Sequence, residues 1–206
     1  MSKVTTFNRA GMVGTGYSLP YVALYNADGQ GGITYEHGAK MARGVNVTIT
    51  PTVQDANNFS ADNILAEEQP PVVTGGTAVF TVDGLLPTMR EYLTGMTAKS
   101  ESAKFQYIGD NAVANRPDIG IAYVGRFMCG GVTLYTPMGL VRAKFTDSES
   151  TLATQEYGSP ITWQTRALNF SFKLGEDDNH SWKIEGDFYT TEAEAEADIK
   201  NLFGIS

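Results

Sequence analysis

Several segments of this chain alternate large apolar residues with small uncharged ones, and this pattern constrains the fold more than any other feature. Between residues 165 and 174, Leu168, Phe170 and Phe172 fall on one side of an extended chain, while Asn169 and Ser171 fall on the other. Alternation with a period of two predicts half-buried strands, which are typical of antiparallel sheets. The 22 glycines, 10 tyrosines and 10 phenylalanines favour strands joined by tight turns over a helical bundle. We therefore expect a mainly β protein.

The pattern places strands at 19–27, 44–50, 105–109, 118–128, 132–145 and 159–174. Gly130-Gly131 separates two of these strands and is a good signal for a two-residue hairpin turn. In the strand at 44–50, three apolar residues alternate with Asn46, Thr48 and Thr50, so its outer face is polar but uncharged. A chain of 206 residues is most simply one domain, and we expect a single domain over 1–206.

The period changes within residues 75–96, "GGTAVFTVDGLLPTMREYLTGM", from that of a strand to that of a helix. Pro87 can be accommodated in the first turn of a helix, and Gly95 stands where a helix commonly stops. We expect an amphipathic helix over about 84–95 that packs on the sheet. The residues expected to make this packing form one stripe: Leu86, Met89, Leu93 and Met96.

Three further segments stand out from the strand pattern. Residues 1–17 show no sustained period and suggest an N-terminal arm. Residues 52–71 form a long polar stretch that predicts a functional loop or an extended hairpin, and its Phe59, Ile64 and Leu65 would gain little unless they dock on something. Residues 190–206 form a C-terminal arm with a helix over about 191–203, because Thr191 and Glu194 have capping-box spacing and Gly204 supplies a stop.

Charge and motifs exclude several classes of function. Nine acids and two lysines lie between residues 176 and 206, which leaves a net charge of only −1 for the rest of a chain whose total is −8. No basic face for tight binding of nucleic acid is indicated. Cys129 is the only cysteine, and His37 and His180 lack the spacing of metal ligands, so we expect no metal site, no cofactor and no catalytic residues. No apolar run is long enough to span a bilayer, and we expect no membrane insertion.

The residue patterns leave three kinds of function open. An assembly subunit and a binding module both agree with strands that have neutral outer faces. A hydrolase whose site is assembled from distant residues is the weakest of the three, because no catalytic motif is present.

The order of the segments resembles that of the major tail tube proteins of long-tailed, siphovirus-type bacteriophages. The resemblance covers about residues 19–190 and rests on the following segments: "KMARGVNVTITPTVQDANNFSADNILAEE", "GGTAVFTVDGLLPTMREYLTGM", "DIGIAYVGRFMCGGVTLYTPMGLVRAKF" and "ITWQTRALNFSFKL". It implies a β-sandwich or barrel-like tube fold with a flanking helix, which closes the apolar side of the subunit away from the lumen. It also implies a structural virion protein without catalysis, which forms stacked hexameric rings as the conduit for DNA ejection. The alternative is a β-sandwich binding module of a virion that binds a receptor or a carbohydrate.

The resemblance assigns roles to residues of this sequence. Residues 52–71 match the loop that stacks rings in that family, and the implied contacts are Phe59, Asp62, Asn63, Ile64 and Leu65. The strands at 44–50 and 162–172 match the inner barrel, and the candidate lumen residues are Asn46, Thr48, Thr165, Asn169 and Ser171.

The resemblance also implies partners and a location. The partners are further copies of the chain, a tape measure protein, tail terminator or tail-tip proteins, and double-stranded DNA that passes without sequence-specific binding. The protein is expected in the virion tail after assembly in the host cytoplasm. Family lumens are negative, whereas the candidate lumen strands are neutral. Either other strands line the lumen, or charge reaches it from Asp83, Glu67 or the turns.

Overall fold

The structure is a computed structural model that describes residues 3–4, 11–61, 63–96, 100, 102–106 and 116–205. Within these ranges the strands are β1 (Val13–Ala27), β2 (Ile33–Lys40), β3 (Gly44–Val53), β4 (Asn57–Ala61), β5 (Ile64–Gln69), β6 (Val73–Val82), β7 (Ile119–Cys129), β8 (Val132–Ser150), β9 (Arg166–Lys173) and β10 (Lys183–Glu185). The helices are α1 (Pro87–Thr94) and α2 (Glu192–Leu202). The mainly β fold with one flanking and one C-terminal helix, predicted from the sequence, is confirmed.

One antiparallel sheet runs in the order β2-β1-β7-β8-β9-β6-β3, and β10 adds to β8. The 19-residue strand β8 pairs with β7 through its first part and with β9 through its last part. It therefore divides the sheet into a first half, which contains β2, β1, β7 and β10, and a second half, which contains β9, β6 and β3. The hairpin of β4 and β5 forms a separate two-stranded sheet.

The main core lies between the two halves of the sheet. Phe80 of β6 has no exposed surface, and its ring makes edge-to-face contacts with Tyr17 and Tyr123 of the first half and with Phe170 of the second. Leu168 and Phe172 of β9 are buried in the same cluster. The alternation read from residues 165–174 thus places its large residues in this core.

Tyr17 also closes the edge between β1 and β3, which makes the sheet barrel-like. Its hydroxyl donates a hydrogen bond to the carbonyl of Thr81 over 3.0 Å. Gly44 at the start of β3 lies directly on this ring, because a Cβ built there would be 2.5 Å from a ring carbon of Tyr17. Glycine is needed at this position because the ring approaches the backbone too closely for a side chain.

Helix α1 packs against the main core through fewer residues than the stripe predicts. Met89 and Leu93 are buried in the core, and Gly95 ends the helix with a φ of 66°. Leu86 is the N-cap residue and is 71% exposed, so its predicted packing on the sheet is wrong. The reason is that the helix begins at Pro87, three residues after the predicted start at about 84, which leaves Leu86 on extended backbone. Met96 lies beyond the C-cap and is half-buried.

Helix α2, rather than α1, covers the outer face of the first half. Its Ala195 and Ile199 are buried with Tyr21, Ala23 and Val124 in a second apolar cluster that α1 does not enter. Tyr21 donates a hydrogen bond to Glu196 over 2.6 Å, and Ser18 and Tyr189 donate to Glu192 and Asp198. The helix on this face is therefore α2, and the expectation that the central helix lies away from a lumen stays a prediction.

Three sequence expectations about segment boundaries are also corrected. Val13–Tyr17 belongs to β1 and pairs with β7, so the predicted arm is wrong there; glycines had hidden the strand pattern. Strand β9 begins at Arg166, and residues 159–165 are irregular and, apart from half-buried Gln164, exposed, because their apolar residues find no place in the core. Phe105 is exposed and outside any strand, and residues 107–109 of the strand predicted there lie outside the described residues.

The ends of α2 agree only partly with the capping prediction. Thr191 is the N-cap residue, but its hydroxyl hydrogen-bonds the side chain of Glu194 over 2.8 Å and makes no hydrogen bond to the backbone. The predicted capping box is therefore incomplete. Gly204 follows the C-cap with a φ of 63°, as a helix stop requires.

Replacing Phe80 by alanine tests the central place of its ring. We expect Phe80→Ala to lower the free energy of unfolding by about 4 kcal/mol, because it opens a cavity between the two halves of the sheet. The matched control is Phe105→Ala, at a residue that is 74% exposed, and it should change stability by less than about 0.5 kcal/mol. Urea denaturation of dilute protein measures both, and equal losses would contradict this description of the core.

The hydrogen bond between Tyr21 and Glu196 predicts a pH-dependent stability. This hydrogen bond and the nearby Lys200 lower the pKa of the Glu196 carboxyl, although burial opposes them. The stabilisation is therefore complete above the ordinary glutamate pKa of about 4.3 and is lost as pH falls through the lower pKa of the folded state. We expect Tyr21→Phe to cost about 1.5 kcal/mol near pH 7 and progressively less below pH ~4.

The control for this prediction is Tyr35→Phe. The Tyr35 hydroxyl donates to the backbone carbonyl of Val141 over 2.9 Å, and that acceptor does not titrate. The stability that Tyr35→Phe loses should therefore stay nearly constant over the same acid range. Unfolding curves at several pH values measure both variants, and a parallel pH dependence of the two would contradict the role of Glu196.

Candidate assembly surfaces

The outer face of the second half of the sheet is not covered by either helix. The residues on this face are in register across three strands: Asn46 pairs with Thr81 and Thr81 with Ala167, while Thr48 pairs with Val79 and Val79 with Asn169. Thr50, Thr77 and Ser171 form the next row. All nine side chains are small or medium-sized, uncharged, and exposed or half-buried. We call these nine residues the neutral face.

Four of the five candidate lumen residues lie on the neutral face. Asn46 and Thr48 of β3 are exposed, and Asn169 and Ser171 of β9 are half-buried. Strand β6 lies between β3 and β9, so the two predicted strands are not direct neighbours. Thr165 is exposed but precedes β9, and it does not belong to this face. Sequence reasoning missed β6 as the middle of the face, although Thr77, Val79 and Thr81 alternate with buried residues.

Residues 54–72 form a hairpin at one end of β3 and β6. Gln54 donates its backbone N–H to the carbonyl of Val72 over 2.8 Å, and β4 and β5 then pair beyond this point. Every residue of the segment whose exposure the structure describes is exposed. We call this segment the projecting hairpin, and it corresponds to the extended hairpin that the sequence allowed.

The predicted stacking contacts lie in the projecting hairpin. Phe59 of β4 is 62% exposed and Ile64 of β5 is 67% exposed, so two large apolar side chains face outward without cover from the described part of this chain. Asn63 forms the turn with a φ of 62° and is exposed. Leu65 belongs to β5, and Asp62 lies outside the described residues. An isolated hairpin gains nothing from exposed Phe59 and Ile64, which marks its surface as a candidate contact.

The opposite end of β3 and β6 holds a pocket. Lys40 ends β2, residues 41–43 precede β3 and residues 83–86 follow β6, and together they line a cavity of about 510 Å³. Its apolar lining includes Met41, Leu85 and Leu86, and its charged lining includes Lys40, Arg43 and Asp83. We call this cavity the end pocket. Sequence reasoning did not find it, because it is formed by two segments that are about forty residues apart.

The carboxylate of Asp83 is held by Arg43 at the rim of the end pocket. Arg43 donates to it from both its backbone N–H, over 3.1 Å, and its guanidinium Nε. Burial alone would raise the pKa of this carboxyl, but the hydrogen bonds and charge of Arg43 outweigh burial and lower the pKa. The Asp83 charge is thus paired with Arg43 at the end of the strands. Glu67 lies in the projecting hairpin. Neither of these two candidate sources of lumen charge therefore lies on the neutral face.

Residues 151–165 form a second exposed apolar segment that the sequence reading had assigned in part to a strand. Four large side chains in it are more than half exposed: Leu152, Tyr157, Ile161 and Trp163. The segment lies at the same end as the end pocket, because Arg166 pairs with Val82 and Val82 with Gly44. The signal that could have located it is the proline at 160, together with the clustered small polar residues before it.

The described residues show no arrangement typical of a metal site. Within the described ranges, no group of three or more His, Cys, Asp and Glu residues could hold a metal ion. Cys129 is buried at the β7–β8 turn, where Gly130 and Gly131 both have positive φ as the predicted hairpin requires. Neither of the two described helices has the length and apolar composition that would let it cross a membrane.

Comparison with known proteins adds no relative to this description. No protein-family model matches the chain, and a search among curated proteins gives no match.

The two tryptophans provide a direct measure of the exposed segment. Trp163 is 85% exposed, whereas Trp182 stacks on Phe172 with ring centroids 5.5 Å apart. We expect Trp182→Phe, which leaves only Trp163, to emit at long wavelength and to be quenched readily by acrylamide. The matched variant Trp163→Phe should emit at shorter wavelength and resist quenching. Similar quenching of the two variants in dilute protein would contradict the exposure of residues 151–165.

Proposed function

We propose that this protein is a structural subunit that polymerises into stacked rings to form a phage tail tube, the conduit for DNA. The observation that carries the proposal is the neutral face, nine uncharged residues of β3, β6 and β9 that neither helix covers. Charge begins only at the next strand, β8, where Lys144 pairs with Ser171 and Asp147 with Asn169. A wall along which DNA moves must neither bind phosphate with cations nor be sealed by the subunit's own helices. The neutral face has both properties.

The edges and ends of the sheet also support an assembly function. Strands β2 and β3 are the two ends of the strand order, and a neighbouring copy could add a strand at end strands of this kind. The projecting hairpin and residues 151–165 expose large apolar side chains at opposite ends of the same strands. A monomer that remained alone would leave all of these surfaces in water.

In the proposed ring the neutral face looks toward the lumen and α2 lies on the outside. Helix α2 covers the first half of the sheet, and its carboxylates accept hydrogen bonds from Ser18, Tyr21 and Tyr189. The acidic C-terminal segment is thus attached to the half of the sheet that does not carry the neutral face. The proposed lumen wall is neutral, in contrast to the negative lumens of the family that the sequence resembles. Six-fold symmetry, tape measure and tail-tip partners, and a place in the virion tail are part of the proposal through that resemblance.

A binding module remains the second candidate because of Tyr157 and Trp163, which are exposed in one segment. Aromatic side chains of this kind can stack on sugar rings or anchor a protein partner. The two functions differ in what Trp163→Ser should do. If the protein is a binding module, this substitution should abolish its binding to cells or glycans. If the protein is a tube subunit, the unsubstituted protein and the variant should both show no such binding.

Electron microscopy of the purified protein across concentrations tests the proposal directly. We expect hollow tubes or rings at high concentration, formed either spontaneously or on addition of tail-tip proteins. Dispersed monomers under both conditions would overturn the proposed function and favour the binding module.

The orientation of the neutral face can be tested with added charge. We expect tubes of Asn46→Lys to retain double-stranded DNA in a salt-dependent manner, because one lysine from each subunit would face the lumen and pair with phosphates. The matched control is Asn201→Lys, at an exposed residue of α2, whose tubes should leave DNA in the lumen unretained. Equal retention by both variants in a nuclease-protection assay would contradict the assignment of the lumen.

A further inference from the structure

We infer that the end pocket is the receptor for the projecting hairpin of a second copy of this chain, with Phe59 as the inserted side chain. This inference rests on the proposed function and specifies which surfaces meet when one copy lies above another. Three observations carry it, namely the placement of the two surfaces, their chemistry, and the absence of an internal partner for Phe59.

The two surfaces lie at opposite ends of one strand pair. β3 and β6 are paired from Gly44 and Val82 at the end pocket to Val53 and Val73 at the projecting hairpin. Each strand has 10 residues and spans about 33 Å. A second copy displaced along the strand direction therefore brings its hairpin to the first copy's pocket. Because the two surfaces differ, each copy can bind one copy at its hairpin and another at its pocket, so the assembly can grow without limit along this direction.

The two surfaces are complementary in apolar character. Phe59 and Ile64 are exposed apolar side chains on the paired strands of the projecting hairpin, and Val72 is exposed at its base. The end pocket offers Met41, Leu85 and Leu86 as lining, and Leu86 is 71% exposed at its rim. Its volume of about 510 Å³ falls within the range of roughly 300–1,000 Å³ typical of ligand pockets. An aromatic ring that enters a pocket of this type is the usual anchor of a protein interface.

The two surfaces are also complementary in charge. Residues 54–72 contain four acids, Asp55, Asp62, Glu67 and Glu68, and no lysine or arginine. The end pocket carries Lys40 and Arg43 against the single carboxylate of Asp83. Lys40 is exposed at this rim, and its charge also acts on the Glu196 carboxylate of α2. Opposite charges at the rim would favour this orientation over a contact between two hairpins, which would oppose acids to acids.

Disulfide cross-linking between two different chains tests the contact. Cys129 is replaced by alanine so that no native thiol remains, and Phe59→Cys and Leu86→Cys are introduced into separate chains, one of which carries a mass tag. On mild oxidation of the mixture we expect a tagged–untagged dimer that joins positions 59 and 86. The matched control replaces Leu86→Cys by Val132→Cys, at a residue that is 55% exposed at the β7–β8 turn, and should give no such dimer.

Charged substitutions test the same contact without cysteines. We expect Phe59→Glu and Leu86→Glu each to weaken self-association by at least about tenfold. Equal amounts of the two variants should form pairs, because one chain retains its pocket and the other its hairpin, but should not form long assemblies. The matched control is Val132→Glu, at a residue that is 55% exposed at the β7–β8 turn and lies outside both surfaces, and its assembly should be unchanged.

The outcomes separate this inference from the proposed function. Tubes in which position 59 cross-links to position 59 or 132 as readily as to position 86 would overturn the inference and leave the tube proposal standing. A 59–86 dimer in protein that forms no tubes would support the contact and overturn the proposed function. Absence of both tubes and cross-links would overturn both.

Discussion

The fold depends on the contacts of the Phe80 ring with aromatic rings from both halves of the sheet. Because Phe80 points inward between Tyr123 and Phe170, its neighbours Val79 and Thr81 must point outward. A slip of one residue would bury threonines and expose the phenylalanine, so the core fixes the register of β6 and, through it, the registers of β3 and β9. The neutral face is therefore a consequence of the core, and any assembly that uses this face relies on the packing of Phe80.

The parts of the fold that local sequence determines could be predicted, and the parts that distant segments determine could not. Alternation located the buried residues of β9, and Pro87 and Gly95 located α1, because both signals act within one turn or strand. Residues 159–165 have the composition of a strand, yet they pair with nothing in the described chain, so their state depends on what lies beside them. The end pocket required the chain before β3 and the chain after β6 to meet, which no local pattern records.

The C-terminal acids show why charge distribution along a sequence is an incomplete guide to surface charge. Their excess suggested a separate acidic feature, but Glu192, Glu196 and Asp198 accept hydrogen bonds from Ser18, Tyr21 and Tyr189 of the sheet and its border. These carboxylates therefore help to attach α2 to the first half. Since a carboxylate bound to a neutral hydroxyl keeps its charge, the outer side of the molecule is both well packed and acidic. The sheet halves differ accordingly, because an acidic helix covers the first half whereas the neutral face of the second half is open.

The two ends of the β3–β6 pair differ in a way that gives the molecule a direction. One end continues into an acidic hairpin with exposed Phe59, and the other ends in a pocket whose rim carries Lys40 and Arg43. Because both are continuous with the same two strands, the distance between them is set by backbone geometry rather than by side-chain conformation. Surfaces that differ from each other and lie at a fixed distance along one axis form open, repeating assemblies, whereas identical surfaces form closed pairs. In the proposed assembly, these two surfaces would therefore set both the polarity and the spacing of the copies.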